Sequence, residues 1–243
     1  MKITLVIPTY NEAENLPKIL QALFALPLPD LNVLVVDDNS RDGTGEIAEE
    51  LKKTYKGKLD VMHRAGKLGL GSAYIQAFTR LLAGDSDAIG QMDADFSHEP
   101  VKVLELVEAL KTCDMALGSR YVPGGNLDED WPIWRKWLST FGNFYARTIL
   151  RMPVRDITGG FRLWKRATLA AMPLERVRSN GYIFQVEMAY VADRLGFHFK
   201  EIPIYFAERK YGQSKMSLRI QLEAALRVWS LRGLYRDLKP IRK

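Results

Sequence analysis

Apolar residues along the chain fall into short unbroken runs, separated by stretches in which they recur every three or four positions. Residues 2–7, 31–36, 58–63 and 113–118 are such runs, and another opens at Ala88. Each reads as a buried strand. Leu16, Ile19, Leu20, Leu23 and Phe24 keep a helical period, with Asn11 as the expected cap and Glu12 and Glu14 in the first turn. Further helices are expected from residue 42 to about 55, from 68 to about 82 and from about 99 to 111, the last with Pro100 in a permitted first-turn position. Strands alternating with amphipathic helices predict an α/β fold, a mostly parallel sheet covered on both faces. Ligands of such sheets bind beyond the carboxyl ends of the strands. Polar clusters at residues 8–12, 37–40 and 93–97 lie at such ends.

The second half is less regular. Residues 130–147 mix Trp134, Trp137, Leu138, Phe141 and Tyr145 with Arg135 and Ser139, four apart on one helix face. This is either an interfacial helix or a core-facing helix with its arginine in solvent. Residues 156–162 read as a tight glycine-containing turn in which Asp156 caps the turn, orients a site or contacts its ligand. A helix is expected over 182–195, where Glu187 pairs with a basic residue or touches substrate. A last strand is expected over 199–206, then a basic loop over 208–215 closing on a bound ligand. The helix from 217 to about 232, flanked by Arg219, Arg227, Arg232 and Arg236, packs on the domain or meets an anionic membrane.

Composition narrows the chemistry. The 243 residues are 47% hydrophobic and 26% charged, which fits one large domain or a domain plus a small appendage. A single cysteine, Cys113, excludes an internal disulfide and a cysteine zinc site, and points to a reducing, cytoplasmic compartment. Three scattered histidines weigh against a histidine metal site or triad. The first residues, interrupted at Pro8, do not read as a signal peptide. No window approaches the roughly 20 apolar residues of a membrane span. The net charge of +6 calls for an anionic partner: nucleotide, lipid phosphate, acidic membrane or nucleic acid.

The sharpest chemical signal is Asp93-Ala94-Asp95, after the run opening at Ala88. On an extended chain, side chains two apart share a side. Two carboxylates with little else suit a hard divalent cation that keeps waters and touches phosphates. Asp95 is therefore expected to bind Mg²⁺ or Mn²⁺ bridging a nucleotide diphosphate, the alternative being a solvated acidic loop. Gly69 and Gly71 either let backbone N–H groups approach a phosphate or serve close helix–strand packing, and no Walker loop is present.

Pro8-Thr9-Tyr10-Asn11-Glu12, Asp37-Asp38-Asn39-Ser40, Gly69-Leu70-Gly71, Asp93-Ala94-Asp95, Gly118-Ser119-Arg120-Tyr121, the segment from Asp156 to Arg162, and that from Tyr182 to Glu187 occur in this order. The set resembles the family-two glycosyltransferases of the GT-A fold, and among them the dolichol- or polyprenol-phosphate mannosyltransferases. The resemblance covers about residues 2–217, and the basic segment from Glu208 to Lys215 strengthens it. It implies a GT-A domain over residues 1–216, with 130–151 as an interfacial acceptor helix, and a basic helix and tail over 217–243. It implies inverting transfer of mannose from GDP-mannose to a polyprenyl or dolichyl phosphate, at the membrane's cytoplasmic face. Pro8, Tyr10, Glu12, Val36 and Asp38 would hold the guanosine, and Asp93 and Ala94 would lie along ribose and phosphates. Asp95 would bind the metal with Ser97 as a further oxygen, although some relatives have Gln at that position. Arg120, Arg209 and Lys215 match positions at donor phosphates or reacting groups.

A phosphate monoester carries nearly two negative charges near neutral pH and needs no general base. It needs cations to set it against an anionic donor, and we assign Arg120, Arg135 and Ser139 to that phosphate. With Asp93 and Asp95, Arg120 completes the catalytic set. A sugar-hydroxyl acceptor would instead call for a carboxylate base such as Asp156 or Glu187. The competing readings are UDP-glucose as donor in the same fold, and a non-catalytic basic module for nucleic acid or membrane. The second has no use for Asp-x-Asp at a strand end.

Overall fold

The computed structural model describes residues 1–208 and 218–241, the side chains of 218–224 excepted. Its centre is a seven-stranded sheet. β1 (Ile3–Thr9) pairs in parallel with β2 (Leu31–Asp37) and with β4 (Ala88–Gln91), and β2 pairs in parallel with β3 (Leu59–His63). On the other side of β4 the order continues through β7 (Arg162–Lys165), β5 (Met115–Ser119) and β8 (Phe199–Pro203). β7 is antiparallel to both neighbours, and β8 is parallel to β5. A small ribbon joins β6 (Asn126–Leu127) to β9 (Tyr205–Phe206). The mostly parallel sheet is thus as expected, with one reversed strand inside it.

The helices are α1 (Leu16–Phe24), α2 (Thr44–Thr54), α3 (Leu70–Leu82), α4 (Lys102–Leu110), α5 (Ile133–Leu150), α6 (Arg166–Ala171), α7 (Tyr182–Arg194) and α8 (Leu218–Leu234). Alternation along the strands divides the core between the two faces. Ile3, Leu5 and Ile7 of β1 join Leu16, Ile19 and Leu106 on one face, while Val6 joins Tyr74, Trp164 and Phe184 on the other. Val228, Leu231 and Tyr235 from the C-terminal segment belong to that second cluster. Cys113, the only cysteine in the sequence, is buried, and its Sγ donates to the Ala109 carbonyl at 3.2 Å. Burial pushes its thiol pKa up.

Several boundaries differ from expectation. The first strand runs through Pro8 to Thr9, and α1 starts at Leu16, so Asn11 is not its cap. Asn11 instead takes a positive φ of 61° and ties two loops: its N–H donates to Ser40 Oγ, and its Oδ1 accepts from the Arg41 N–H. The expected strand over 199–206 is split between two sheets, with Ile204 between β8 and β9. No helix among the described residues is long and apolar enough to cross a membrane.

Candidate active site

The carboxyl ends of β1, β2 and β3 bring one polar group together. Asp37 accepts from the Thr9 hydroxyl at 3.2 Å and the Ser40 hydroxyl at 2.6 Å. The Glu12 N–H donates to Thr44 Oγ1 at 2.9 Å, and its carboxylate accepts from Asn15 Nδ2 at 2.8 Å. Pro8 is the penultimate residue of β1, and the Tyr10 ring lies 4.0 Å under the Lys67 ammonium. Val36 is packed into the core, so its side chain can only shape the floor of a site. Asp38 is buried, which raises its pKa, while the paired Arg64 guanidinium pulls the other way. Arg64 also donates to Gln76 and Ser72. Arg64 immediately follows β3 and Lys67 lies four residues past its end, so both stand where ligands of such sheets bind, a signal that the sequence already carried.

β4 ends at Gln91, and the chain then bends through residues 94–98 rather than continuing extended. Phe96 takes a positive φ of 60°. The acid pair is therefore presented by a tight loop, which corrects the extended-chain argument. Asp93 is half-buried; Ala94 and Asp95 are buried. Asp95 Oδ1 accepts the Ser97 N–H at 3.0 Å. Ser97 Oγ is fully buried, yet has no hydrogen-bond partner among the described residues. A buried oxygen left unbonded beside a buried carboxylate costs free energy unless something occupies it. Asp95 and Ser97 thus fit a divalent cation. No group of three His, Cys, Asp or Glu that could hold a metal exists among the described residues. His98 supports the loop from behind, its ring stacked on Phe161 at 4.9 Å. Burial lowers its pKa, and the Asp93 N–H approaches its Nδ1 at 3.4 Å.

Arg120, at the end of β5, is 8% exposed and grips the fully buried Asp156. Its Nε and Nη2 donate to the two carboxylate oxygens at 2.7 and 2.8 Å, and its own backbone N–H adds a third bond at 3.0 Å. Burial alone would raise the Asp156 pKa, but the charge and hydrogen bonds of Arg120 hold it below the ordinary value. Near this pair lies one of the other basic candidates, Arg135. The Phe206 ring touches His98, Trp131 and the Arg120 guanidinium at 5.4, 5.8 and 5.3 Å. Arg135 lies over Trp131 at 3.6 Å and pairs with Glu208 at 2.7 Å. Ser139 Oγ shares a 2.8 Å hydrogen bond with Tyr121 OH. Phe206 is thus the hub between acid loop and basic cluster, a role that its sequence neighbourhood does not advertise. Arg209 and Lys215, with the proposed closing loop, lie outside the described residues.

Two expectations change. Glu187 pairs with no basic residue among the described ones: fully buried, it accepts from the Ser179 N–H at 2.9 Å and Tyr235 OH at 2.8 Å. Arg162 ends no exposed turn; it is a fully buried member of β7, donating to the carbonyls of Gly159, Gln185 and Ile157. The glycine segment turns out to be a packing device. A Cβ on Gly71 would lie 2.2 Å from the Ser179 carbonyl oxygen, and one on Gly69 2.6 Å from Asn180 Oδ1.

The profile of glycosyl transferase family 2 matches residues 4–171. The chain belongs to that family. This family 2 glycosyltransferase is 43% identical to an undecaprenyl-phosphate mannosyltransferase of Micrococcus luteus, over 98% of each chain. It is also 43% identical to a polyprenol monophosphomannose synthase of Mycolicibacterium smegmatis, over 94% of this chain and 86% of that one. Its fold is GT-A-like. Glucosyl-3-phosphoglycerate synthase of Mycobacterium tuberculosis, solved with Mn²⁺, UDP and glucosyl-3-phosphoglycerate, superposes with a TM-score of 0.64. That match covers 96% of this chain and 79% of the other at 18% identity. The same enzyme with Mg²⁺ and UDP gives a TM-score of 0.64.

Proposed function

We propose that the protein transfers mannose from GDP-mannose to the phosphate of a polyprenol, with inversion, yielding polyprenyl-phosphate mannose. The observation that carries this reading is the near full-length match to two relatives named for mannosyl transfer to undecaprenyl phosphate and for polyprenol monophosphomannose synthesis. The site chemistry supports it. Pro8, Tyr10, Glu12, Val36 and Asp38 form the nucleoside end, and Asp93 and Ala94 run along the ribose and phosphates. Asp95 and Ser97 hold Mg²⁺ or Mn²⁺, which when bound takes up charge on the departing diphosphate. Arg120 is fixed in orientation by Asp156, and its Nη1 donates to no described residue, which leaves it for a phosphate oxygen. Arg135 and Ser139 hold the acceptor phosphate with it, while Arg209 and Lys215 belong to the donor side. The acceptor arrives already charged, so the commitment of Asp156 and Glu187 to structural partners is compatible with the reaction.

The lipid tail stays in the membrane. Trp134, Trp137, Phe141 and Phe144 of α5 are exposed, as are Leu226 and Trp229 of α8, with Arg227 and Arg232 beside them. Aromatic and basic residues together suit peripheral binding to an anionic surface.

The test is incubation with radiolabelled GDP-mannose and polyprenyl phosphate, with UDP-glucose in parallel. Label should enter lipid from GDP-mannose, vanish with EDTA and return with Mg²⁺ or Mn²⁺. Asp95→Ala should cost roughly a hundredfold or more with the fold intact. Label arriving from UDP-glucose alone would overturn the donor assignment, and undiminished activity of Asp95→Ala the metal site.

A further inference from the structure

Behind the acid pair runs a line of buried amides that the reaction above leaves unused. Trp164 in β7 is fully buried, and its indole N–H donates to Gln91 Oε1 at 2.9 Å. An indole nitrogen can only donate, so Gln91 must present oxygen to it. The Gln91 amide nitrogen then donates to Gln185 Oε1 at 3.3 Å, which orients the second amide in turn. Gln185 is 2% exposed, and among the described residues its Nε2 donates to none. Its backbone is pinned as well. Arg162 Nη1 donates to the Gln185 carbonyl at 2.8 Å, and the same guanidinium ties down Gly159 and Ile157 at 2.9 and 2.7 Å.

This oriented donor borders a gap. A Cβ added to Gly160 would sit 3.4 Å from Gln185 Nε2 and 4.0 Å from Asp93 Oδ2. A buried donor and a carboxylate acceptor thus flank one small space, open because residue 160 has no side chain. A sugar hydroxyl, which accepts and donates at once, matches both.

We propose that Gln185 is a specificity-determining residue that reads one hydroxyl of the transferred hexose, with Asp93 as the acceptor and with Trp164 and Gln91 setting the polarity. The inference rests on the sugar-donor reading above. A hexose lacking that hydroxyl leaves a buried donor unpaired, which is the strongest basis for rejection that a binding site has.

The test measures transfer from GDP-mannose and its monodeoxy analogues by the wild type, Gln185→Leu and Gly160→Ala, each also titrated with GDP. The wild type should lose about a hundredfold in kcat/KM with one analogue. Gln185→Leu should handle that analogue and GDP-mannose alike. The added methyl of Gly160→Ala meets only ordinary contacts, so the fold survives; filling the gap should raise KM for GDP-mannose about tenfold or more while GDP affinity holds. Trp164→Phe frees the amides to turn over and should relax the discrimination. Full discrimination retained by Gln185→Leu, or Gly160→Ala with wild-type KM, would overturn the proposal. Should Gln185→Leu not fold, Gln185→Glu takes its place, since a carboxylate cannot donate. A wild type that moves no mannose overturns the earlier reading alone, and the comparison then runs on the deoxy series of the hexose nucleotide that it does use.

Discussion

Helices α5 and α7 carry similar loads of aromatic and aliphatic side chains, and the fold treats them in opposite ways. α7 buries nine of its 13 residues, Gln185 and Glu187 among them, and each of those two polar side chains meets a specific partner. α5 buries three of its 18 and leaves Trp134, Trp137, Phe141 and Phe144 in the open. Inside, polar groups are tolerated because they are bonded. Outside, large apolar groups are left without protein cover, and each is worth roughly 1.5–3 kcal/mol if it leaves water. One helix is finished by the protein, whereas the other keeps its largest apolar groups in the open.

That contrast can be tested from the inside outward. The largest effect belongs to Asp156, which lies between the two helices in sequence. Asp156→Ala strands the buried Arg120 charge and should destabilise the fold by about 3–5 kcal/mol, read from urea denaturation. Its pH dependence sharpens the point. The folded pKa of Asp156 lies below the ordinary carboxylate value, so the pair's contribution is complete above the unfolded pKa of about 3.9 and is lost as pH falls through the lower folded value. Melting temperature should stay level from pH 8 to 5 and drop below about pH 4, with a shallower drop in Asp156→Asn. Next comes Glu187→Ala, which leaves the Ser179 N–H and Tyr235 hydroxyl without an acceptor, at a cost of roughly 2 kcal/mol. The smallest effect on stability is expected on α5. Trp134→Ala and Trp137→Ala should each stay within about 0.5 kcal/mol of wild type, yet recovery with anionic liposomes by flotation should fall. Equal recovery would mean that α5 is not the membrane face.

The α/β alternation and the strand-end clusters were legible in the sequence because they are local. β7 was not: Arg162-Leu163-Trp164-Lys165 looks like the tail of a turn, and only its neighbours β4 and β5 make it a buried strand. The cap at Asn11 failed for a similar reason, since that side chain answers to Ser40 and Arg41 rather than to the helix ahead of it. Asp93 and Asp95 were expected on an extended chain, whereas a loop past the end of β4, with Phe96 at positive φ, carries them. The partnerships of Arg120 with Asp156 and of Arg64 with Asp38 span 36 and 26 residues, and no periodicity reports a contact of that range.

The lone cysteine has a practical consequence. Cys113 is shielded and its thiol resists ionisation, so it should react sluggishly with alkylating reagents. A thiol introduced at an outward position of α5, such as Phe144→Cys, would take up a fluorophore almost alone. Quenching of that dye by brominated lipids would then report whether the helix enters a bilayer, with its tryptophans left in place.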